Sequence, residues 1–174
     1  MKKTILVALM ATTLFACQQN VTKTETATTV AATGTVTTTG PEVDLIKKAV
    51  DAFASGDWAG YAACYADTAK AYHNIWPLAG DSTLALGMPK LIERFKVQRA
   101  LMDGNPTVDG TIYEVVTMPN GSKYGHAWIS FSWKSKKGGT GKMALFNSYG
   151  FNKDGKISYE WPIYDTKEIS KLGQ

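Results

Sequence analysis

Apolar residues recur at intervals of three and four positions in three segments before residue 102, which is the spacing of one helix face. In the first segment the apolar residues of this face include Val43, Ile46 and Val50. The second segment follows Asp57, a residue type that commonly caps the N-terminus of a helix. Three helices are therefore predicted: Pro41 to about Gly56, Trp58 to Tyr65, and about Met88 to Leu101.

The second half of the chain has runs of β-branched and aromatic residues, separated by turn signals such as Pro119-Asn120-Gly121. Five strands are predicted: Ala69 to His73, Thr111 to Met118, Lys123 to Trp133, Lys142 to Phe151 and Ile157 to Tyr164. Helices followed by antiparallel strands are typical of an α+β domain with its helices packed on one face of a sheet. We expect a single domain over residues 41–174.

The chain begins with the three parts of a secretory signal: the basic Lys2 and Lys3, an apolar run from Ile5 to Met10, and a small residue, Ala16. The run is shorter than the roughly 20 residues that span a bilayer. Leu14-Phe15-Ala16-Cys17 resembles the bacterial lipobox, which implies cleavage after residue 16 and lipidation of Cys17. The alternative is an ordinary signal peptide followed by a cysteine that has no special role.

Lipidation would give the protein a membrane lipid partner, because two or more acyl chains make a stable anchor. We expect the protein in the bacterial cell envelope, on the outer membrane facing the periplasm. Ten threonines fall between Thr22 and Thr39, with no period that would bury one face. This composition predicts a disordered tether over residues 17–40, with a reach of roughly 25 to 30 Å if it is a flexible coil.

The charge and the cysteine content of the chain exclude several kinds of function and site. Without Lys2 and Lys3 the 19 basic residues fall to 17 against 15 acidic ones, which is too weak a bias for a nucleic-acid-binding surface. Once Cys17 is assigned to lipid, Cys64 has no disulfide partner, and we expect a buried, inert thiol. With two histidines, the chain offers no ligand set typical of a zinc site, and no cofactor is expected.

Three short motifs carry a resemblance to a known family: Ala54-Ser55-Gly56-Asp57-Trp58, Tyr65-Ala66-Asp67-Thr68-Ala69, and Phe151 to Ile157. In this order they resemble the NTF2-like superfamily, in particular its SnoaL-like and ketosteroid-isomerase-like members. The resemblance implies an α+β cone, in which about three N-terminal helices pack in a strongly curved, mostly antiparallel sheet. It also implies an apolar cavity and a homodimer, but it does not decide the function.

The resemblance places two candidate catalytic residues. The position of the family's general base falls on His73, and that of its oxyanion-binding aspartate falls on Asn147. A neutral imidazole can accept a proton, and an amide can donate to an oxyanion. The family's partner tyrosine in the first helix falls on Ala49, so the pair of oxyanion donors is not reproduced.

Candidate ligand contacts follow from the alternation of side chains along strands. Glu160, Pro162 and Tyr164 share one side of the last strand, opposite Ile157, Tyr159, Trp161 and Ile163, and the sequence leaves open which side faces the cavity. The candidate ligand-binding residues are Trp76, His126, Trp128, Glu160 and Tyr164. Three functions remain open: binding of a small, largely apolar ligand, a SnoaL- or isomerase-type enzyme, and an envelope interaction module that dimerises through its sheet.

Overall fold

The computed structural model of the chain describes residues 33–74 and 85–173. Cys17 and Trp76 lie outside the described residues. The helices are α1 (Pro41–Ser55), α2 (Trp58–Ala63), α3 (Met88–Ala100) and α4 (Thr166–Ser170), and a 3-10 turn, Lys171–Gly173, follows. The strands are β1 (Thr35–Thr37), β2 (Tyr65–Ala71), β3 (Leu86–Gly87), β4 (Thr107–Thr117), β5 (Lys123–Lys134), β6 (Thr140–Phe151) and β7 (Ile157–Tyr164).

The strands form one sheet in the order β1-β4-β5-β6-β7-β2-β3. All neighbours are antiparallel except β2 and β7, which run parallel. The pairing shifts by one residue within β4 and within β7, and by three residues between β2 and β7, from the pair Tyr65–Ile157 to the pair Lys70–Tyr159. Such bulges bend a strand and increase its twist, so they help the sheet to curve around the helices. No helix in the described ranges is long and apolar enough to cross a membrane.

The corner between α1 and α2 is built as the sequence predicts. Gly56 ends α1 with a φ of 80°, a left-handed conformation that glycine adopts at low cost. Asp57 caps α2, and its carboxylate accepts a hydrogen bond of 2.8 Å from the backbone N–H of Gly60. Two local signals thus set the angle at which α2 leaves α1.

Arg99 joins α3 to the end of α1. Its guanidinium donates to the backbone oxygens of Phe53 and Ala54, at 2.6 and 3.0 Å. It also lies over the rings of Phe53 and Trp58. The Phe53 oxygen also accepts from the backbone N–H of Gly56, at 3.2 Å. The arginine thus adds hydrogen bonds to the last carbonyls of α1 and anchors α3 beside it.

The core lies between the helices and the inner face of the sheet. Ile46 of α1 and Leu91 of α3 are completely buried in it. A Cβ at Gly125 would lie 2.4 Å from Cδ1 of Ile46, so the glycine in β5 lets α1 pack directly onto the sheet. Cys64 is also completely buried, as predicted, and burial raises the pKa of its thiol, which is consistent with a low reactivity.

Two predicted boundaries differ from the structure. The helix predicted over residues 58–65 ends at Ala63, because the chain at Cys64 already pairs with β7: the N–H of Ile157 donates to the Cys64 oxygen. The predicted tether reached residue 40, but Thr35–Thr37 form an edge strand on β4. Their β-branched side chains suit a strand, and β4 offered an unpaired edge.

The bulge in β7 also corrects one predicted side-chain direction. Phe151 pairs with Ile157 and the next pair is Gly150 with Tyr159, so Ser158 is the extra residue. Ile157 is therefore buried in the core, on the side opposite to Tyr159, whereas strict alternation had placed both on one face. From Tyr159 onward the alternation holds.

Candidate functional site

A pocket opens between the helices and the inner face of the sheet, and its volume is about 80 Å³. Most of its wall is apolar and comes from α1, α3, β5 and β6, with side chains that include Val50, Phe53, Phe95, Phe131 and Met143. Its polar lining residues are Tyr61, His73, Gln98, Asn147, Tyr149, Glu160 and Tyr164. The pocket thus combines an apolar wall with a small number of polar groups.

Alternation along β7 brings Glu160, Pro162 and Tyr164 to the pocket, which answers the question that the sequence left open. Opposite them on β6, Asn147 pairs with Pro162 and Tyr149 with Glu160. The two neighbouring strands therefore supply the polar residues of the sheet side of the pocket.

Glu160 is the centre of the polar cluster. It is 2% exposed, and its Oε2 accepts hydrogen bonds from the hydroxyls of Tyr61 at 3.0 Å and Tyr65 at 2.5 Å. The Asn147 amide donates to the same oxygen at 3.5 Å. Burial raises the pKa of Glu160, and the hydrogen bonds from Tyr65, Tyr61 and Asn147 oppose that rise. The three donors stabilise the charged form that burial disfavours.

His73 lies beside this cluster, just beyond β2. Its Nδ1 is 3.0 Å from the Tyr164 hydroxyl, and its Nε2 is buried without a hydrogen-bond partner in the described part of the chain. The nearest Glu160 oxygen, Oε1, is 3.9 Å from Nε2, which is too far for a hydrogen bond. Burial first, and then the charge of Arg94, lower the pKa of His73 to about 4, so the imidazole is neutral at pH 7.

Asn147 is 6% exposed and is one of the residues that line the pocket. The Nδ2 group donates to Glu160, which sets the orientation of the amide. Oδ1 has no hydrogen-bond partner among the described residues. A buried acceptor without a partner costs free energy unless a ligand or water fills the vacancy.

Asn74 holds the segment that carries His73 against β7. Its Nδ2 donates to the Tyr164 carbonyl at 3.1 Å, and its Oδ1 accepts from the Tyr164 N–H at 2.9 Å. Its own N–H donates to the Pro162 carbonyl. Asn74 has a φ of 52°, a left-handed conformation that asparagine tolerates better than most residues. This turn fixes the direction in which the chain leaves His73.

Comparisons with known proteins establish the fold. No protein-family model matches the chain, and no curated protein matches its sequence. Among solved structures, a candidate polyketide cyclase from Xanthomonas campestris pv. campestris has a TM-score of 0.60 and 15% identity, over 76% of this chain and 96% of that chain. An NTF2-like protein from Burkholderia pseudomallei has a TM-score of 0.56 and 14% identity, over 77% and 98%. The chain has the NTF2-like fold.

A third structure with this fold contains a ligand. It is RV0760c from Mycobacterium tuberculosis in complex with estradiol-17beta-hemisuccinate, with a TM-score of 0.56 and 14% identity, over 75% of this chain and 98% of that chain. The predicted α+β cone is confirmed by these likenesses. At such identities they show the fold alone, and the roles of the site residues stay predictions.

The NTF2-like cone does not bring all the predicted ligand contacts together. His126 and Trp128 lie on the outer face of β5, whereas Ala127, Ile129 and Phe131 between and beyond them are buried in the core. His126 Nδ1 is 3.1 Å from Oε1 of Glu114 on the same outer face. The expectation that these two residues line the cavity is wrong, because the sequence shows which residues share a face but not which face is inside.

The outer face of the cone carries a row of apolar residues across four strands. Ile112 pairs with Trp128, Trp128 with Phe146, and Phe146 with Ile163. Ile112, Trp128 and Ile163 are exposed. The homodimer through the sheet stays a prediction, and this row is the surface that such a dimer would use.

The two tyrosines that donate hydrogen bonds to Glu160 were not among the predicted site residues. The resemblance pointed to a tyrosine at position 49, where the chain has alanine, and Ala49 does line the pocket. Hydroxyls come instead from Tyr61 of α2 and Tyr65 of β2, and their oxygens are 2.9 Å apart. Because α2 ends at Ala63 and Tyr65 begins β2, no single periodicity in the sequence pairs these two tyrosines.

No group of three or more His, Cys, Asp or Glu side chains in the two described ranges could hold a metal ion. The polar end of the pocket contains one carboxylate, one imidazole, amides and hydroxyls. Chemically, these groups can accept or donate hydrogen bonds and exchange protons.

Proposed function

We propose that the chain is a membrane-tethered binding domain, which holds a small, largely apolar molecule in the pocket of the NTF2-like cone. The observation that carries the proposal is an apolar wall beside two buried polar atoms, His73 Nε2 and Asn147 Oδ1, that have no hydrogen-bond partner among residues 33–74 and 85–173. Ligand sites typically combine apolar walls with a few oriented polar groups. A ligand would satisfy the atoms that the protein leaves unpaired.

The volume of the pocket limits the part of a ligand that can enter. At about 80 Å³ it is smaller than the ~150 Å³ cavity that encloses a benzene molecule. We expect one end of a ligand, such as a ring or a short chain, to enter. The rest would lie near Gln98, Leu145 and Ile169, the half-exposed lining residues of α3, β6 and α4. The steroid derivative held by RV0760c supports an extended apolar ligand.

Isothermal titration calorimetry on the full chain tests the proposal, with p-cresol and estradiol-17β-hemisuccinate as the two probes. We expect saturable binding of at least one probe, because both carry an apolar ring. Leu145→Trp should weaken it at least about tenfold, or ~1.4 kcal/mol, because indole would fill the half-exposed part of the pocket. The matched control is Leu101→Trp, at an exposed leucine outside the pocket. No binding of either probe, or equal weakening by both variants, would contradict the proposal.

The pKa of His73 favours binding over catalysis. His73 and Asn147 line one pocket, which is the geometric condition that an isomerase-type reaction would require. A general base works best with a pKa near the working pH. At about 4, the pKa of His73 makes the imidazole a weak proton acceptor at neutral pH. Its neutral ring remains well suited to a hydrogen bond with a ligand.

The tether is the second part of the proposal, and it depends on the lipobox-like sequence that ends at Cys17. When the full chain is expressed in a bacterial host, we expect it in the membrane fraction, and Cys17→Ser should move nearly all of it to the soluble fraction. Cys64→Ser is the matched control, because Cys64 is buried in the domain and should not affect the distribution. Membrane association that survives Cys17→Ser would contradict lipid anchoring at this residue.

A further inference from the structure

We propose that the inner end of the pocket selects a neutral ligand that carries a hydroxyl group, and that it disfavours the corresponding carbonyl compound and ammonium ion. The inference rests on the proposed binding function and names the chemistry of the ligand. It depends on how the hydrogen bonds of the Glu160 cluster are distributed. That distribution leaves an acceptor, the Asn147 oxygen, without a donor.

Three hydrogen-bond donors at the inner end are already used within the protein. The hydroxyls of Tyr61 and Tyr65 donate to Glu160 Oε2. Asn147 Nδ2 donates to the same oxygen. The nitrogen of this amide is thus engaged by Glu160, whereas its oxygen has no hydrogen-bond partner among the described residues. We therefore expect a ligand to meet the amide at its oxygen.

The Asn147 oxygen requires a hydrogen-bond donor. It is buried in a residue that is 6% exposed, and it has no partner among the described residues. A ligand hydroxyl can donate to it. A carbonyl oxygen in the same place would bring two acceptors together and would leave both unpaired, and sites built around one hydrogen bond discriminate strongly against such analogues.

His73 does not reverse this preference. Its Nδ1 contacts the Tyr164 hydroxyl, which can donate or accept, so its Nε2 is a donor in one tautomer and an acceptor in the other. A hydroxyl can pair with Nε2 in either case, because it both donates and accepts. A carbonyl can pair with only one tautomer.

The surroundings of His73 disfavour a cationic donor. The positive charge of Arg94 acts on His73 and on Tyr164, and burial removes the solvent that would stabilise an ammonium ion. The negative charge of Glu160 opposes that of Arg94 at Tyr164, but three hydrogen bonds to Oε2 already stabilise this carboxylate. A neutral hydroxyl needs no compensating charge.

Four probes of nearly equal size test the inference on the unchanged full chain: benzyl alcohol, benzaldehyde, benzylamine and toluene. By calorimetry or ligand-observed NMR at pH 7, we expect benzyl alcohol to bind at least about tenfold tighter than benzaldehyde and toluene, and tighter than benzylamine. Benzaldehyde or benzylamine binding as tightly as benzyl alcohol would overturn the inference and leave the binding function intact. If no probe binds and p-cresol and the steroid also fail, the binding function itself is wrong.

A variant pair assigns the preference to Asn147. Asn147→Leu keeps a similar size without the oxygen, and we expect benzyl alcohol and toluene to bind to it with affinities within about threefold of each other. The matched control is Ser130→Ala, a half-buried polar residue on β5 outside the pocket lining, which should keep the tenfold preference. A preference that survives Asn147→Leu in a folded protein would overturn the assignment. If Asn147→Leu does not fold, the four-probe series on the unchanged chain still decides.

Discussion

Replacing Glu160 by alanine should lower the free energy of unfolding by about 3 to 5 kcal/mol, the largest effect of any single site considered. The carboxylate accepts hydrogen bonds from Tyr61, Tyr65 and Asn147, and all three residues are buried. Removing the acceptor leaves these donors without partners and adds a cavity at the inner end of the pocket. Urea unfolding at pH 7, followed by circular dichroism, measures the change.

Two further variants show whether the loss comes from the hydrogen bonds. Glu160→Gln keeps an oxygen that can accept from the tyrosines and removes a buried charge, so it should cost about 1 kcal/mol or less. Glu114→Ala is the matched control, since this carboxylate pairs with His126 on the half-exposed outer face and should contribute less than about 1 kcal/mol. A loss below about 1 kcal/mol for Glu160→Ala would show that the cluster does not hold the fold together.

Acidification from pH 7 to pH 4 should reduce stability through His73 by about 3 kcal/mol. The pKa of this imidazole is about 4 in the folded protein against an ordinary 6.5, so the unfolded state binds the proton more tightly. Stability from this group is complete above pH 6.5 and falls by about 1.4 kcal/mol per unit as the pH drops toward 4. The cause is burial first, and then the charge of Arg94.

Glu160 acts in the opposite direction and has to be separated from this effect. Its pKa is raised by burial, so its contribution to stability is present at low pH and is lost as the pH rises from about 4.5 through the folded pKa. In the range where His73 takes up a proton, Glu160 is therefore becoming neutral and gives the imidazolium little support across their 3.9 Å separation.

The comparison of wild type with His73→Gln isolates the histidine. Both proteins are unfolded with urea at pH 7, 5.5 and 4. As the pH falls from 7 to 4, the free energy of unfolding of the wild type should drop by about 3 kcal/mol more than that of the variant. Repeating the pair in the Glu160→Gln background removes the opposing carboxylate. A difference that stays constant with pH, or an NMR titration of His73 centred near 6.5, would contradict the assigned burial.

The fold was predictable where local signals were sufficient. Gly56 and Asp57 specify the corner between two helices through backbone conformation and capping, and both act as the sequence indicates. Period-two alternation correctly placed Glu160 and Tyr164 on one face of β7. It failed for Ile157, because a bulge at Ser158 depends on the pairing with β6 and leaves no distinct mark in the sequence.

The candidate site was predictable only in part. The resemblance pointed to His73 and Asn147, and both line the pocket. The hydrogen-bond partners of Glu160, Tyr61 and Tyr65, come from a helix and a strand about a hundred residues away from it in the sequence. Such contacts depend on how elements pack, and no periodicity within one element reports them.

The sequence by itself determined the helices, the longer strands and which side chains share a strand face, because these depend on local conformational preference and on the period of each element. The tertiary structure decided which face is inside, and so it separated Glu160 from His126 and Trp128. It also decided that the amide nitrogen of Asn147 is bonded to Glu160 while the amide oxygen has no partner among the described residues. Burial, hydrogen-bond partners and pKa values belong to the packed molecule, because each depends on residues that are distant in the chain.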